Sequence, residues 1–334
     1  MRLPTPRSWY RRGGGSWAIA PALLAPLSWV WTWATARRLA RGRPADPGVP
    51  VICVGNLTLG GSGKTPVVRE LARLLAGSGR DVHILTRGHG GRLAGPLRVD
   101  ATAHTAVQVG DEALMMARDA PVWVARDRAA GARAAVAGGA QILVMDDGHQ
   151  NPSVKKTLSL VVVDGETRDG EWPLGDGAVF PAGPLREPFD VGLARADAVV
   201  VLLPGDLPAA DRDLLAMFAD QPVLTARLEP LAPPPGGPQI AFAAIGKPWK
   251  MERALRAAGC DLVDFVGLPD HATPRQASLV SWAARAGMLG AGLLTSEKDW
   301  VKLTAAWRER VNAWPVRVRF EDEAAARRLI GLDP

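Results

Sequence analysis

Residues 55–65 read GNLTLGGSGKT, and this stretch decides the fold. It follows an apolar run, Val49–Val54, with the character of a buried strand. It precedes Pro66–Ala76, where Val67, Leu71, Leu74 and Leu75 recur on one helical face. A glycine-rich turn between strand and helix is the context a phosphate loop needs, because glycines let successive backbone N–H groups point inward as an anion nest. Thr58, Gly60, Gly61, Ser62, Gly63, Lys64 and Thr65 are the expected nucleotide-binding residues. Lys64 is placed to reach the β and γ phosphates of ATP, and Thr65 to ligate Mg²⁺. Pro66 falls in the first helical turn, where its missing N–H costs little. The strict GxxxxGK[ST] spacing asks for glycine at position 58, where this chain has Thr58. A glycine-rich turn with an incidental lysine is the alternative; the Lys-Thr pair and the flanking elements favour phosphate.

Working outward, strands and helices alternate. Val82–Leu85, Val122–Ala125, Ile142–Met145, Leu160–Val163 and Ala198–Leu203 are short apolar runs; Asp111–Arg118 and Arg128–Ala137 have helical spacing. This alternation predicts an α/β fold of the P-loop NTPase type, a mainly parallel sheet with helices on both faces. Asp146 and Asp147 end one of these runs, where carboxylates in a nucleotide-binding sheet hold Mg²⁺ and its waters; an ordinary Asp-Gly turn is the alternative. Asp111 and Glu112 open a helix, either as an N-cap or as a base or metal ligand beside the phosphates. Asp270 and His271 lie in a later loop, and spacing alone does not settle their role. Residues 230–238 (PLAPPPGGP) read as a linker. The expected division is an N-terminal segment at 1–45, a P-loop domain at 46–229, that linker, and a smaller α/β domain at 239–334.

The chain has 334 residues and a net charge of +6. Residues 1–50 contain eight arginines and one acid, so the remaining 284 sum to −1. The basic excess flanks 24 uncharged residues, 13–36, with tryptophans at 17, 29, 31 and 33 and prolines at 21 and 26. This pattern points to an anionic membrane surface rather than nucleic acid. The prolines and the two basic flanks predict a helical hairpin or kinked helix dipping into one leaflet. Two cysteines without metal-ligand spacing, Cys53 and Cys260, exclude zinc-ribbon, iron–sulfur and disulfide-rich classes.

An ordered series of motifs resembles the tetraacyldisaccharide 4′-kinases of lipid A biosynthesis. It comprises GNLTLGGSGKTP (55–66), TRGHGG (86–91), VGDE (109–112), DDGHQ (146–150), VVVDG (161–165), FPAGPLREP (180–188), GLPDH (267–271) and TSEKDWVKL (295–303). The series covers about 250 residues, and the threonine in the phosphate loop is shared with the family. The resemblance implies transfer of phosphate from ATP to the 4′-hydroxyl of an acylated glucosamine disaccharide 1-phosphate, at the cytoplasmic face of a bacterial inner membrane. It also implies two α/β domains with a cleft between them.

By that resemblance Asp111 is the base, oriented by His271 across the cleft. Lys64 and the nest hold the phosphates, while Thr65, Asp146 and Asp147 hold Mg²⁺, with Glu112 as a further ligand. Arg186 would neutralise the transferring phosphoryl group; a salt bridge with Glu187 or another acid is its alternative. Arg87 is a candidate for the substrate 1-phosphate. Lys298 and Asp299 are left as nucleotide or structural residues. Three positions depart from the family: His89 where tyrosine is common, and Asn151 and Ala272 where histidine is common. The rival functions are a P-loop GTPase or metallochaperone and a non-enzymatic membrane-associated nucleotide binder.

Overall fold

The computed structural model describes residues 6–11 and 19–332. Eight strands appear first: β1 (Val51–Gly55), β2 (Val82–Thr86), β3 (Leu97–Arg98), β4 (Val122–Val124), β5 (Ile142–Asp146), β6 (Leu158–Asp164), β7 (Ala198–Pro204) and β8 (Val223–Pro230). A smaller sheet follows, from β9 (Gln239–Ala243), β10 (Leu262–Gly267), β11 (Gly292–Ser296) and β12 (Val311–Trp314). The last strand, β13 (Val316–Phe320), returns to the first sheet, whose order is β13-β8-β7-β6-β1-β5-β2-β4-β3. That sheet is parallel except at its edges, where β3 and β13 pair antiparallel. The small sheet, β10-β9-β11-β12, is wholly parallel.

Every residue of β1 and β5 is buried. Ile52 and Val54 enter one core with Val67 and Leu71 of the helix Lys64–Ala76. Val51 and Cys53 enter another with Ala132 and Ala135 of the helix Arg128–Ala137. Burial on both faces is why these strands read as unbroken apolar runs. It also places the carboxyl ends of β1 and β5 side by side, where a doubly wound sheet binds ligands.

The expected domain at 239–334 is corrected at its end. Val318, Phe320, Ala326 and Ile330 pack in the large domain's core beside Val67 and Leu71. The chain therefore crosses between the sheets twice, and Leu231 N–H donates to the Pro315 carbonyl at 2.9 Å where the crossings meet. The alternation of Val316–Phe320 marks a half-buried strand but not the sheet that receives it.

Residues 12–18, which hold part of the expected membrane-dipping stretch, lie outside the described residues. The rest of that stretch is one helix, Ile19–Ala40, continuous through Pro26. Two of its hydroxyl residues face inward: Ser28 and Thr35 are buried, and Ser28 Oγ donates to the Val179 carbonyl at 2.7 Å. Leu23, Leu27, Trp29, Val30 and Trp33 face outward at 56–74% exposure. Among the described residues no helix is long and apolar enough to cross a membrane.

Candidate active site

The phosphate loop is pinned from inside. The buried Asn56 side-chain amide donates to the Thr58 carbonyl at 2.8 Å and to Ser62 Oγ at 3.0 Å. Gly60 and Gly63 have φ of +88° and +78°, the left-handed region that glycine enters at no steric cost. Gly63 caps the helix that begins at Lys64. Thr58 is absent from the residues with positive φ and forms a bridge with Leu185, so the backbone there does not require glycine. The Thr58 carbonyl also accepts from Arg186 Nε at 3.0 Å. The PLREP turn is thereby tied to the loop.

Beside Lys64 stand the two carboxylates that end β5. Asp146 Oδ2 accepts from Thr86 Oγ1 at 2.9 Å, while Oδ1 is buried with no hydrogen-bond partner among the described residues. Burial, then the charges of Glu112 and Asp147, push the Asp146 pKa up to about 7. Asp147 has a φ of +50°. Its Oδ1 accepts from Arg186 Nη1 at 2.8 Å and lies 3.5 Å from Lys64 Nζ. Burial opposes its ionisation, but Lys64 and Arg186 outweigh that and hold its pKa well below the usual carboxylate range.

These oxygens suit a hard cation. The orphaned Asp146 Oδ1 and its raised pKa mark a place short of positive charge. Among the described residues no three acidic, histidine or cysteine side chains converge to hold a metal alone. Mg²⁺ characteristically keeps waters and substrate phosphates as its other ligands, so Thr65, Asp146 and Asp147 fit it.

Asp111 and His271 meet across the cleft. Gly110, with φ +94°, lies so close to the TRGHGG turn that a Cβ there would sit 2.5 Å from the His89 carbonyl oxygen. That contact fixes where the helix Asp111–Met116 starts. His271 enters from the small domain in a left-handed turn, φ +58°. Its Nδ1 lies 2.9 Å from Asp111 Oδ2 and 3.1 Å from Oδ1. Asp111 is only 5% exposed. Burial raises its pKa, but the His271 hydrogen bond and the charges of Lys298 and Lys302 bring it down to about 2. The charge of Lys64 acts on Glu112 and that of Glu112 on Asp146, so the Asp–His pair and the phosphate loop share one cleft.

The remaining sequence-derived residues separate clearly. Glu112 is engaged by Lys298 Nζ at 3.0 Å. Arg186 does not pair with Glu187, which is taken by Arg195 at 2.6 Å. Asp299, fully buried, accepts from the Ala244 backbone N–H and pairs with Lys302, whose Nζ donates to the Ala272 carbonyl. It braces the loop that presents His271. The His89 ring stands 5.2 Å from that of His271, centroid to centroid. Asn151 closes a turn onto Ser153, and Arg87 is exposed. Sequence reasoning missed Lys302, Lys247 and Tyr10; nothing about their spacing distinguishes them from surface or filler residues.

A phosphate loop, paired carboxylates on the neighbouring strand and an Asp–His pair facing them define a P-loop kinase. A family model described as tetraacyldisaccharide-1-P 4′-kinase matches residues 20–332. The chain belongs to that family. It is 65% identical over 331 residues to the tetraacyldisaccharide 4′-kinase of Phenylobacterium zucineum, covering 99% of each chain. It is 62% identical over 330 residues to that of Caulobacter vibrioides, covering 99% of this chain and 98% of that one. A crystal structure of LpxK from Aquifex aeolicus in complex with ATP matches at a TM-score of 0.72 and 26% identity, over 93% of this chain and 98% of that chain.

Proposed function

We propose that Asp111 deprotonates the 4′-hydroxyl of a tetraacylated glucosamine disaccharide 1-phosphate as the γ-phosphoryl of ATP is transferred to it. The observation that carries this reading is the Asp111–His271 contact, formed across two domains beside Lys64 and Asp147. A sugar hydroxyl is a poor nucleophile, and a positioned base helps by ~10²–10⁴-fold. Asp111 stays ionised at neutral pH because His271, Lys298 and Lys302 surround it.

The rest of the work is positioning and charge neutralisation. Lys64 and the backbone of residues 58–65 hold the phosphates. Thr65, Asp146 and Asp147 would hold Mg²⁺, which would supply positive charge beside the phosphates. Arg186 stands at Asp147, 2.8 Å away, within the same cluster. Domain closure assembles Asp111 with His271 and excludes water from ATP.

The outward apolar face of Ile19–Ala40, followed by Arg37, Arg38 and Arg41, supports docking on an anionic bilayer. An acylated acceptor and ATP as donor support a working site at the cytoplasmic face of a bacterial inner membrane, with no role for nucleic acid. The test is labelled ATP, the purified protein and the acylated disaccharide 1-phosphate, with and without Lys64→Ala. Acceptor-dependent phosphorylation abolished by Lys64→Ala is expected. Nucleotide hydrolysis indifferent to the acceptor would favour a P-loop switch protein instead.

A further inference from the structure

The TSEKDW segment places Lys298, which the scheme above uses only as a charge near Asp111, against the outer side of His271. Lys298 Nζ donates to Glu112 Oε1 at 3.0 Å and lies 3.4 Å from His271 Nε2. The Asp270 carboxylate, 3.6 Å away, flanks it on a third side. Its side chain is 16% exposed. A lysine ammonium has three donors and no acceptor. Nε2 can meet it only as a bare acceptor, so the ring proton must sit on Nδ1, facing Asp111.

We propose that Lys298 is a positioning residue that fixes the tautomer of His271, forming a relay from Lys298 through the imidazole to Asp111. The inference rests on the reading of Asp111 as the base. Each link has a donor and an acceptor in order: ammonium N–H to Nε2, then Nδ1–H to the Asp111 carboxylate. A histidine with its proton on Nε2 would turn a lone pair toward Asp111 and lose the contact that aims the carboxylate. The wrong tautomer of a triad histidine is known to be costly in an otherwise intact site. The same ammonium ties Glu112 of the large domain to the small domain.

Asp270 Oδ2, 3.7 Å from Nε2, is the competing partner and would draw a proton onto Nε2 if Lys298 were absent. The His89 ring meets it tilted, at 55°. The direction of the contact is therefore decided by the lysine.

The test is ¹⁵N-histidine NMR on the full chain, with the His271 signals assigned by their loss in His271→Asn. The chain has five histidines, so the spectrum is tractable. In the unaltered protein His271 is expected to carry its proton on Nδ1. Lys298→Met should move proton density to Nε2 and lower kcat by about 10-fold or more, up to the ~10²–10⁴-fold a base contributes. The KM for ATP should stay within about twofold. Lys298→Arg keeps a donor-only cation and should hold the Nδ1–H tautomer and part of kcat; it also serves if Lys298→Met does not fold, and an Nε2–H ring in Lys298→Arg would count against the proposal. A wild-type ring protonated on Nε2, or a Lys298→Met variant with unchanged tautomer and kcat, would overturn the proposal. The tautomer is read without substrate, so failure of transfer to the acylated disaccharide would remove the proposed acceptor and leave this inference standing.

Discussion

Asp164, at the end of β6 in the large sheet, pairs with Lys247 of the small domain at 2.7 Å, and both are about 90% buried. Lys250 joins the same carboxylate, and Lys247 reaches Glu171 at 3.3 Å. Tyr10 lies under the Lys247 ammonium at 4.7 Å and donates to the Leu59 carbonyl of the phosphate loop. This cluster latches the two domains together. Removing one partner of a buried pair leaves an uncompensated charge, which typically costs ~3–5 kcal/mol. Asp164→Ala should lower stability by that order in urea unfolding, and a loss near zero would show the latch to be idle.

The latch also has a pH signature. Burial opposes ionisation of Asp164 and Glu166, but Lys250 and Lys247 on the first and Arg168 on the second outweigh it, so both carboxyls titrate below their ordinary values. The Arg168 hydrogen bond lowers Asp206 in the same way. Unfolded carboxyls therefore take up protons first as pH falls. The stability from this cluster is complete above about pH 4.5 and is lost as pH falls through the depressed folded values. Urea midpoints should be flat in this respect from pH 7 to 5, then drop. Asp164→Asn should drop less steeply, and parallel curves would rule the cluster out as the source.

The phosphate loop touches the small domain through two glycines. A Cβ on Gly246 would lie 2.8 Å from the Gly61 backbone nitrogen and 3.1 Å from its Cα. Backbone cannot yield as a side-chain tip can. Gly246→Ala should hold the cleft slightly open and lower kcat by about 10-fold, since small misplacements are expensive in transfer reactions. ATP affinity by calorimetry should be nearly unchanged. Weakened ATP binding with normal kcat would contradict a role in closure.

Trp29 and Trp33 are 73% and 62% exposed. A Trp29→Ser/Trp33→Ser variant should keep its stability within about 0.5 kcal/mol, as surface changes do. It should lose much of its co-sedimentation with vesicles containing anionic lipid. Undiminished vesicle binding would remove this helix face from membrane docking.

How much of this was legible beforehand follows from how local each feature is. The strand, loop and helix of residues 51–76 are contiguous, so apolar runs and glycines disclosed them. Arg128–Ala137 was bounded correctly because alanines and an Asp127 cap declare a helix on their own. Val223–Pro230 was missed as a strand, being mostly half-buried and without an apolar run. The partners Asp111 and His271 stand 160 residues apart, and only the family resemblance joined them. The Asp164–Lys247 latch had no signal, because a buried charge and a solvated one look alike in a sequence until the fold encloses them. The tryptophans suggested an interfacial segment from composition alone, but the helix's inner side, with Ser28 and Thr35 buried, needed the packing to be seen.

The measurement that bears most directly on the central claim is the turnover of Asp111→Ala, His271→Ala and the double variant on ATP and the acylated disaccharide 1-phosphate. Asp111→Ala should lower kcat by ~10²–10⁴-fold with ATP binding retained. If the two residues act as one unit, the double variant should lose little more than the worse single one. Near-normal turnover of Asp111→Ala, or losses that multiply in the double variant, would contradict the account.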